Sequence, residues 1–168
     1  GGDADVEHRH PDHAWLPEIE LACKKLAHAR PGGSGIRVLQ WRPGESTFIV
    51  RSALPSADVI AIEWSGHRLD NWRPLCAKQG VRLHVAGLDA DYCELPLRAD
   101  WGEFDFVLIG GDRQEDCRRA AEGLLAPGSV ILSNPARDRR QIVPKARQDE
   151  EEQVAALEAS REGAPRAR

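Results

Sequence analysis

Apolar and polar positions along the chain follow two repeats, one typical of helices and one typical of strands. Apolar spacings of three and four residues predict a helix from Trp15 to Leu26, and a run of Pro31 and nearby glycines ends it. The later pattern predicts strands at 36–41, 58–63, 81–86, 104–109 and 130–132, and helices at 46–54, 68–79 and 114–125. Residues 87–103 are rich in acids and are predicted to form a loop.

The alternation of strands with helical segments predicts the fold class. Such an order is typical of an α/β fold, a Rossmann-like, doubly wound and mostly parallel sheet flanked by helices. The run 104–109 is almost continuously apolar, as in a strand that is buried on both faces, so it is predicted to lie at the centre of the sheet.

Composition suggests one domain with two polar ends. A chain of 168 residues with 41% hydrophobic content can bury one core. We predict a flexible leader at 1–13, an α/β domain at 14–145 and a charged, partly helical tail at 146–168. A sixth strand is predicted at 141–143, and the histidines of the leader are interpreted as polar residues rather than a metal cluster.

Charge and cysteine content exclude several classes of protein. A formal net charge of −4 argues against a nucleic-acid partner. The four cysteines are widely spaced without a C-x-x-C pair, so neither a zinc site nor a disulfide framework is expected, and a reduced, cytoplasmic protein is the default. No apolar run reaches the roughly 20 residues that span a bilayer, so no membrane partner is expected.

The stretch from Ile36 to Glu63 points most directly to chemistry. A strand, a Pro-Gly turn that opens a helix at Ser46, and a second strand that ends in an acid are typical of a βαβ unit that binds an adenosine-containing ligand. Glu63 is therefore the first candidate for a ligand contact.

Six segments together resemble the class I S-adenosylmethionine-dependent methyltransferases, particularly the small O-methyltransferases. The segments are Val38-Leu39-Gln40, Gly44-Glu45-Ser46-Thr47, Val59-Ile60-Ala61-Ile62-Glu63, Gly87-Leu88-Asp89-Ala90, 104–112 and 124–130. They cover about 15–134 in the family's order. The resemblance implies the strand order 3-2-1-4-5, with an incomplete hairpin of strands six and seven after it.

The resemblance also implies a cofactor, S-adenosylmethionine, and a set of residues around it. Glu63 would accept hydrogen bonds from both ribose hydroxyls, because a carboxylate offers two acceptor oxygens. Asp89 would bind the adenine amino group and Leu88 the ring face. The remaining cofactor-binding candidates are Gln40, Trp41, Gly44, Ser46 and Trp64, of which Trp64 would either stack on adenine or cover the sheet edge.

Methyl transfer from a sulfonium depends mainly on alignment of donor and acceptor, with a base where the acceptor is a hydroxyl. Asp112 is the candidate base, and the alternative is that it caps the following helix. His67 and His84 are further candidates, of which His84 is interpreted as structural. The partner implied is a small-molecule methyl acceptor, with Trp15, Trp72 and Trp101 either around it or in the core.

Departures from the family pattern leave alternatives open. The turn at 40–44 keeps one glycine and lacks the leading acid, which favours a catalytically inactive domain that binds a partner or acts as a scaffold. Gly110 and Ser133 stand where the metal-dependent branch has aspartates, so no metal is expected. A nicotinamide dehydrogenase would also use Glu63 but needs a G-x-G-x-x-G motif. The sheet edge is predicted to be either open or covered by a second copy of the chain.

Overall fold

The structure is a computed structural model that describes residues 15–87 and 90–134. Its elements alternate helix and strand, with one short 3-10 turn at Pro31–Gly33. They are α1 Leu16–Ala29, β1 Arg37–Trp41, α2 Glu45–Ala53, β2 Asp58–Glu63, α3 Gly66–Lys78, β3 Arg82–Val85, α4 Ala90–Arg98, β4 Phe104–Ile109, α5 Gln114–Glu122 and β5 Leu125–Ser133. The predicted strand at 141–143 and the tail helix lie outside the described residues, as do Leu88 and Asp89.

The five strands form one parallel sheet in the order β3-β2-β1-β4-β5. This confirms the predicted doubly wound class and strand order. The chain moves outward from β1 to β3, then returns to the other side of β1 with β4, so the direction of winding changes between β1 and β4. In open sheets of this kind, ligands bind outside the carboxyl ends of the strands at that point. β3 and β5 are the edges of the described sheet, and a second copy that covers one of them remains a prediction.

Strand alternation divides the core into two layers. On β1, Val38 packs with α1, α2 and α3, whereas Leu39 and Trp41 point to the opposite face and pack with α4 and α5. All three side chains are fully buried. Because successive side chains of a strand point to opposite faces, a strand covered on both sides has an almost continuous apolar run.

The predicted loop at 87–103 is wrong, because the structure has helix α4 at Ala90–Arg98. Pro96 lies inside this helix, and its ring removes the N–H that would bond the carbonyl of Tyr92. The indole N–H of Trp41 donates to that carbonyl instead, at 2.8 Å. A side chain from β1 thus replaces the hydrogen bond that proline removes, and the helix continues.

The end of the sheet also differs from the prediction. Helix α5 ends at Glu122 rather than at 125, and β5 begins at Leu125 rather than at 130. The strand is irregular: Leu125 pairs with Phe104 and Val130 with Phe106, so the residues between them are extra on the β5 side. Gly128, with φ +77°, absorbs the bulge, which is a distortion within one longer strand.

Candidate functional site

A cleft of about 400 Å³ opens at the carboxyl ends of β1 and β4, where the winding direction changes. Its walls come from the turn after β1, the start of α2, helix α3, the turn after β4 and the end of β5. The lining residues are Trp15, Arg42, Pro43, Gly44, Glu45, Ser46, Arg68, Trp72, Gly110, Gly111 and Asn134. Its position and size are those of a small-molecule site in an open α/β sheet.

Gln40 is the penultimate residue of β1, and both polar atoms of its side chain are hydrogen-bonded. Its amide nitrogen donates to the carbonyl of Arg42 at 3.3 Å and to the hydroxyl of Ser46, while its amide oxygen accepts from the hydroxyl of Thr47 at 2.8 Å. The side chain is fully buried. Gln40 therefore connects the turn after β1 to the first residues of α2, and the hydrogen bonds of its amide are all made within the chain.

The start of α2 is closed by its own residues. Gly44 is the N-cap, and its N–H donates to the hydroxyl of Thr47 at 3.0 Å. The N–H of Thr47 donates back to the carbonyl of Gly44, also at 3.0 Å. The helix thus begins at Glu45, one residue before the predicted Ser46, and its start faces the cleft through Gly44, Glu45 and Ser46.

Glu63 ends β2 as a fully buried carboxylate with three hydrogen bonds. One oxygen accepts from the backbone N–H groups of Trp64 and Ser65, at 3.2 and 3.1 Å. The other accepts from the guanidinium of Arg68 at 3.0 Å. An ion pair and two backbone bonds therefore offset the desolvation of this charge.

Arg68 connects the carboxylate to the cleft. Its guanidinium also donates to the carbonyl of Pro43, and it lies over the ring of Trp72 at 5.7 Å from the centroid. The side chain is 26% exposed, whereas that of Glu63 is 0% exposed. Arg68 thus lines the cleft and at the same time binds the carboxylate of Glu63.

The opposite wall depends on glycines. Gly111 has φ +75°, and a Cβ added there would lie 2.5 Å from Cδ of Arg42. At Gly110 a Cβ would lie 3.2 Å from the carbonyl oxygen of Trp41. The turn after β4 therefore packs against the turn after β1 because it has no side chains there.

Two predicted aromatic contacts lie away from the cleft lining. Trp41 is fully buried between the sheet and α4. Trp64 is half-buried against the same core layer. The carbonyl of Trp41 is the part of that residue that reaches the cleft wall, where it accepts the N–H of Gly110 at 3.0 Å.

The candidate bases occupy three different places. Asp112 is half-buried between β4 and α5, and the N-cap of α5 is Arg113, without a side-chain cap bond, so Asp112 precedes the cap position. His67 is exposed in the first turn of α3. The imidazole ring of His84 lies against the ring of Trp101 in a tilted arrangement, with 4.5 Å between the two centroids. Burial, with a contribution from Arg82, lowers the pKa of this imidazole.

Sequence reasoning missed Arg68, Arg42 and Asn134 as parts of the cleft. Arg68 had a local signal, because it follows Glu63 by five residues across a helix start. Of the three tryptophans proposed for an acceptor pocket, Trp15 and Trp72 line the cleft and Trp101 does not. Leu88 and Asp89, the adenine candidates, lie outside the described residues.

The described ranges contain neither a metal-binding cluster nor a helix that could span a membrane. Within 15–87 and 90–134, no three His, Cys, Asp or Glu residues are grouped so that they could hold a metal ion. No helix in the same ranges combines the length and the apolarity needed to cross a membrane.

Solved structures with a similar course of the chain include several methyltransferases. One is an O-methyltransferase from Bacillus cereus in complex with SAH, with a TM-score of 0.54 and 19% identity over 77% of this chain and 68% of that one. Another is precorrin-6y C5,15-methyltransferase from Geobacter metallireducens GS-15, with a TM-score of 0.53 and 19% identity over 69% of this chain. This chain has the class I methyltransferase fold.

A third similar structure of this fold is coclaurine N-methyltransferase bound to N-methylheliamine and SAH, with a TM-score of 0.51 and 15% identity over 76% of this chain. The chain spans 59% of the precorrin enzyme and 37% of the coclaurine enzyme. Comparison with protein-family models and with curated proteins gives no match.

Proposed function

We propose that the chain binds S-adenosylmethionine in the cleft and transfers its methyl group to a small-molecule acceptor without a metal. The observation that carries this proposal is the buried carboxylate of Glu63, at the end of β2 beside β1. Arg68 binds this carboxylate and also lines the cleft, which lies where the winding direction of the sheet changes. A carboxylate in this position suits a ribose, because it accepts two hydroxyl hydrogen bonds at once.

The hydrogen bonds of Glu63 give a test of fit for the nucleoside. A carboxylate has about four acceptor positions, and three are occupied by Trp64, Ser65 and Arg68. One position is left for a ligand while Arg68 is bound, and two are left when it moves away. The residues therefore fit the ribose once Arg68 releases its oxygen, and the partial exposure of Arg68 supports such a release.

The rest of the cleft favours the carboxylate of the cofactor's amino-acid part but not its ammonium group. Arg42 and the N-terminus of α2 favour a carboxylate through positive charge and backbone N–H groups. Gln40, in contrast, has its amide bound to Ser46 and Thr47 and offers no charge to an ammonium group. We therefore expect weaker binding than an acid at that position would give.

The sulfonium of the bound cofactor supplies the methyl group, and the chain supplies position and a proton acceptor. Asp89 is proposed for the adenine amino group, with Leu88 on the ring, and Asp112 or His67 for the acceptor proton. Trp15 and Trp72 line the cleft together, which favours a planar aromatic acceptor.

The second candidate is a domain of this fold without catalysis that acts as a scaffold. The ion pair between Glu63 and Arg68 supports it, because the pair occupies the ribose acceptor in the chain itself. The internal bonds of Gln40 support it in the same way.

Calorimetric titration with S-adenosylmethionine and S-adenosylhomocysteine separates the two candidates. For the enzyme we expect micromolar binding to the wild type, about tenfold tighter binding to Arg68→Ala, and loss of binding in Glu63→Ala. Arg73→Ala, on an exposed position of the same helix, is the matched control and should bind like the wild type.

Absence of binding to both wild type and Arg68→Ala at millimolar ligand would reject the enzyme and leave the scaffold. If both ligands bind, formation of S-adenosylhomocysteine with a panel of aromatic hydroxyl acceptors tests the transfer step. Binding without transfer to any member of the panel would favour the inactive domain.

A further inference from the structure

The helices α4 and α5 bring two cysteines into contact on the face of the sheet that carries Trp41. Cys93 lies on α4 and Cys117 on α5, and their sulfur atoms are 3.3 Å apart. Both thiols are free and buried. A disulfide needs a sulfur separation of about 2.05 Å, so a closure of about 1.3 Å would bond them.

A surface groove of about 380 Å³ leads to this pair. Cys93 contributes to its lining, together with side chains of α4 and α5 that are mostly charged. The arginines there are Arg98, Arg113 and Arg119. The groove thus brings a small polar oxidant to residue Cys93, whereas Cys117 does not line it.

The two thiols differ in character. The S–H of Cys117 donates to the sulfur of Cys93, and this bond, with a contribution from the guanidinium of Arg113, lowers the pKa of Cys93 although burial opposes it. The same bond and burial raise the pKa of Cys117. Cys93 is thus the thiol of the pair that loses its proton more readily, and Cys117 is the hydrogen-bond donor to it.

We propose that Cys93 and Cys117 form a redox site that a hydroperoxide converts into a disulfide between α4 and α5. In the first step, Cys93 reacts as its thiolate and attacks the terminal peroxide oxygen. The O–O bond breaks, Cys93 becomes a sulfenic acid, and the leaving group is hydroxide from hydrogen peroxide or an alkoxide from an organic hydroperoxide. In the second step, the Cys117 sulfur attacks the Cys93 sulfur, the S–O bond breaks, and the departing hydroxide takes the Cys117 proton to form water.

Two electrons pass from the thiols to the peroxide, and a dithiol reductant returns them. The new bond closes a loop between residues 93 and 117, which restricts the unfolded chain. It also fixes α4, whose Tyr92 carbonyl holds the indole of Trp41 on β1. The oxidised form is therefore expected to unfold at a temperature about 5–10 °C higher than the reduced form.

The remaining cysteines are an internal control. Cys23 and Cys76 are buried in the other core layer. Burial, with a contribution from Glu20, raises the pKa of Cys23 to about 11. Burial, with a contribution from Glu63, raises the pKa of Cys76 as well. Both are expected to resist peroxide under conditions that oxidise Cys93.

The test treats the reduced full chain with increasing hydrogen peroxide and counts free thiols under denaturing conditions. We expect the count to fall from four to two, with a 93–117 disulfide in the non-reducing peptide map and full recovery in dithiothreitol. In Cys117→Ser, Cys93 should instead be trapped by dimedone as a sulfenic acid. In Cys93→Ser, the other three thiols should persist.

Four remaining thiols in the wild type, or equal oxidation of Cys23 and Cys76, would overturn the proposal. A disulfide between two chains, seen as a dimer on a non-reducing gel, would overturn it as well. The wild-type peptide map decides the question even where a serine variant does not fold.

Discussion

Two neighbouring strand ends carry buried polar side chains, and they are satisfied in different ways. Gln40, at the end of β1, is bound by uncharged groups of the turn that follows it. Glu63, at the end of β2, is bound by two backbone N–H groups and by the long side chain of Arg68. Both residues are fully buried.

The difference shows which of the two can serve a ligand. Releasing Gln40 would remove the side-chain bonds that Ser46 and Thr47, in the first turn of α2, make to its amide. Releasing one oxygen of Glu63 requires only that a partly exposed arginine rotates away. Gln40 is thus a structural residue of the turn, whereas Glu63 and Arg68 form a pair that a ligand could open.

Substitution of Glu63 by alanine should have the largest effect on stability. The change leaves two backbone N–H groups and one guanidinium without their acceptor, so we expect the free energy of unfolding to fall by about 3 to 4 kcal/mol. Urea denaturation measures this. Glu94→Ala, which removes an exposed ion pair with Arg98, should stay within about 0.5 kcal/mol of the wild type. Equal losses in the two variants would contradict the structure.

Gln40→Ala should have the second largest effect, lowering the free energy of unfolding by about 2 to 3 kcal/mol. The variant leaves the hydroxyls of Ser46 and Thr47 and one carbonyl without their partner in a buried turn. Denaturation of this variant is compared with Gln79→Ala, an exposed position at the end of α3. A loss below about 1 kcal/mol for Gln40→Ala would mean that the turn does not depend on the amide.

Gly111→Ala tests the contact between the two turns that border the cleft. The new methyl group would meet Arg42 at 2.5 Å at a positive φ, so we expect a loss of about 2 kcal/mol. Gly128→Ala has a similar φ and open space around it, so its loss of about 1 kcal/mol measures the backbone strain alone. Thermal unfolding of both variants gives the difference, and equal losses would show that Arg42 moves away freely.

Arg68→Ala should have the smallest of these effects, lowering the free energy of unfolding by about 1 kcal/mol. Arg68 lines the cleft, so its removal lets water reach the Glu63 carboxylate, whereas removal of Glu63 leaves buried donors unpaired. Denaturation in parallel with Glu63→Ala measures this asymmetry. A loss as large as that of Glu63→Ala would show that the ion pair is a fixed part of the fold.

Most of the fold follows from the hydrophobic pattern, because strands buried on both faces have a strong signal. The predicted bounds of β2 and β4 agree with the structure residue by residue. Helix α4 has buried Tyr92, Cys93 and Pro96 at helical spacing, yet proline and the flanking acids argue locally for a loop. Its missing hydrogen bond is restored by Trp41, 51 residues away, and no local pattern contains that contact.

The site is less predictable than the fold. Its place at the ends of β1 and β4 follows from topology, and two of the cofactor-binding candidates, Gly44 and Ser46, line it. The inward orientation of the Gln40 side chain could not be predicted, because it depends on the hydroxyls of Ser46 and Thr47 in the next helix. The ion pair of Glu63 could not be predicted either, because it depends on where α3 begins and thus on the position of Arg68. Trp41 is a cofactor-binding candidate, but strand alternation places its side chain in the core layer beside α4 and α5.

The tryptophans give the molecule a built-in optical reporter. Trp15 and Trp72 border the cleft, while Trp41 is sealed in the core with its indole nitrogen bonded to Tyr92. Indole emission responds to local polarity, so molecules that enter the cleft would alter the signal of the first two and leave the third as a constant background. Fluorescence could thus follow occupancy of this protein directly, without any attached dye.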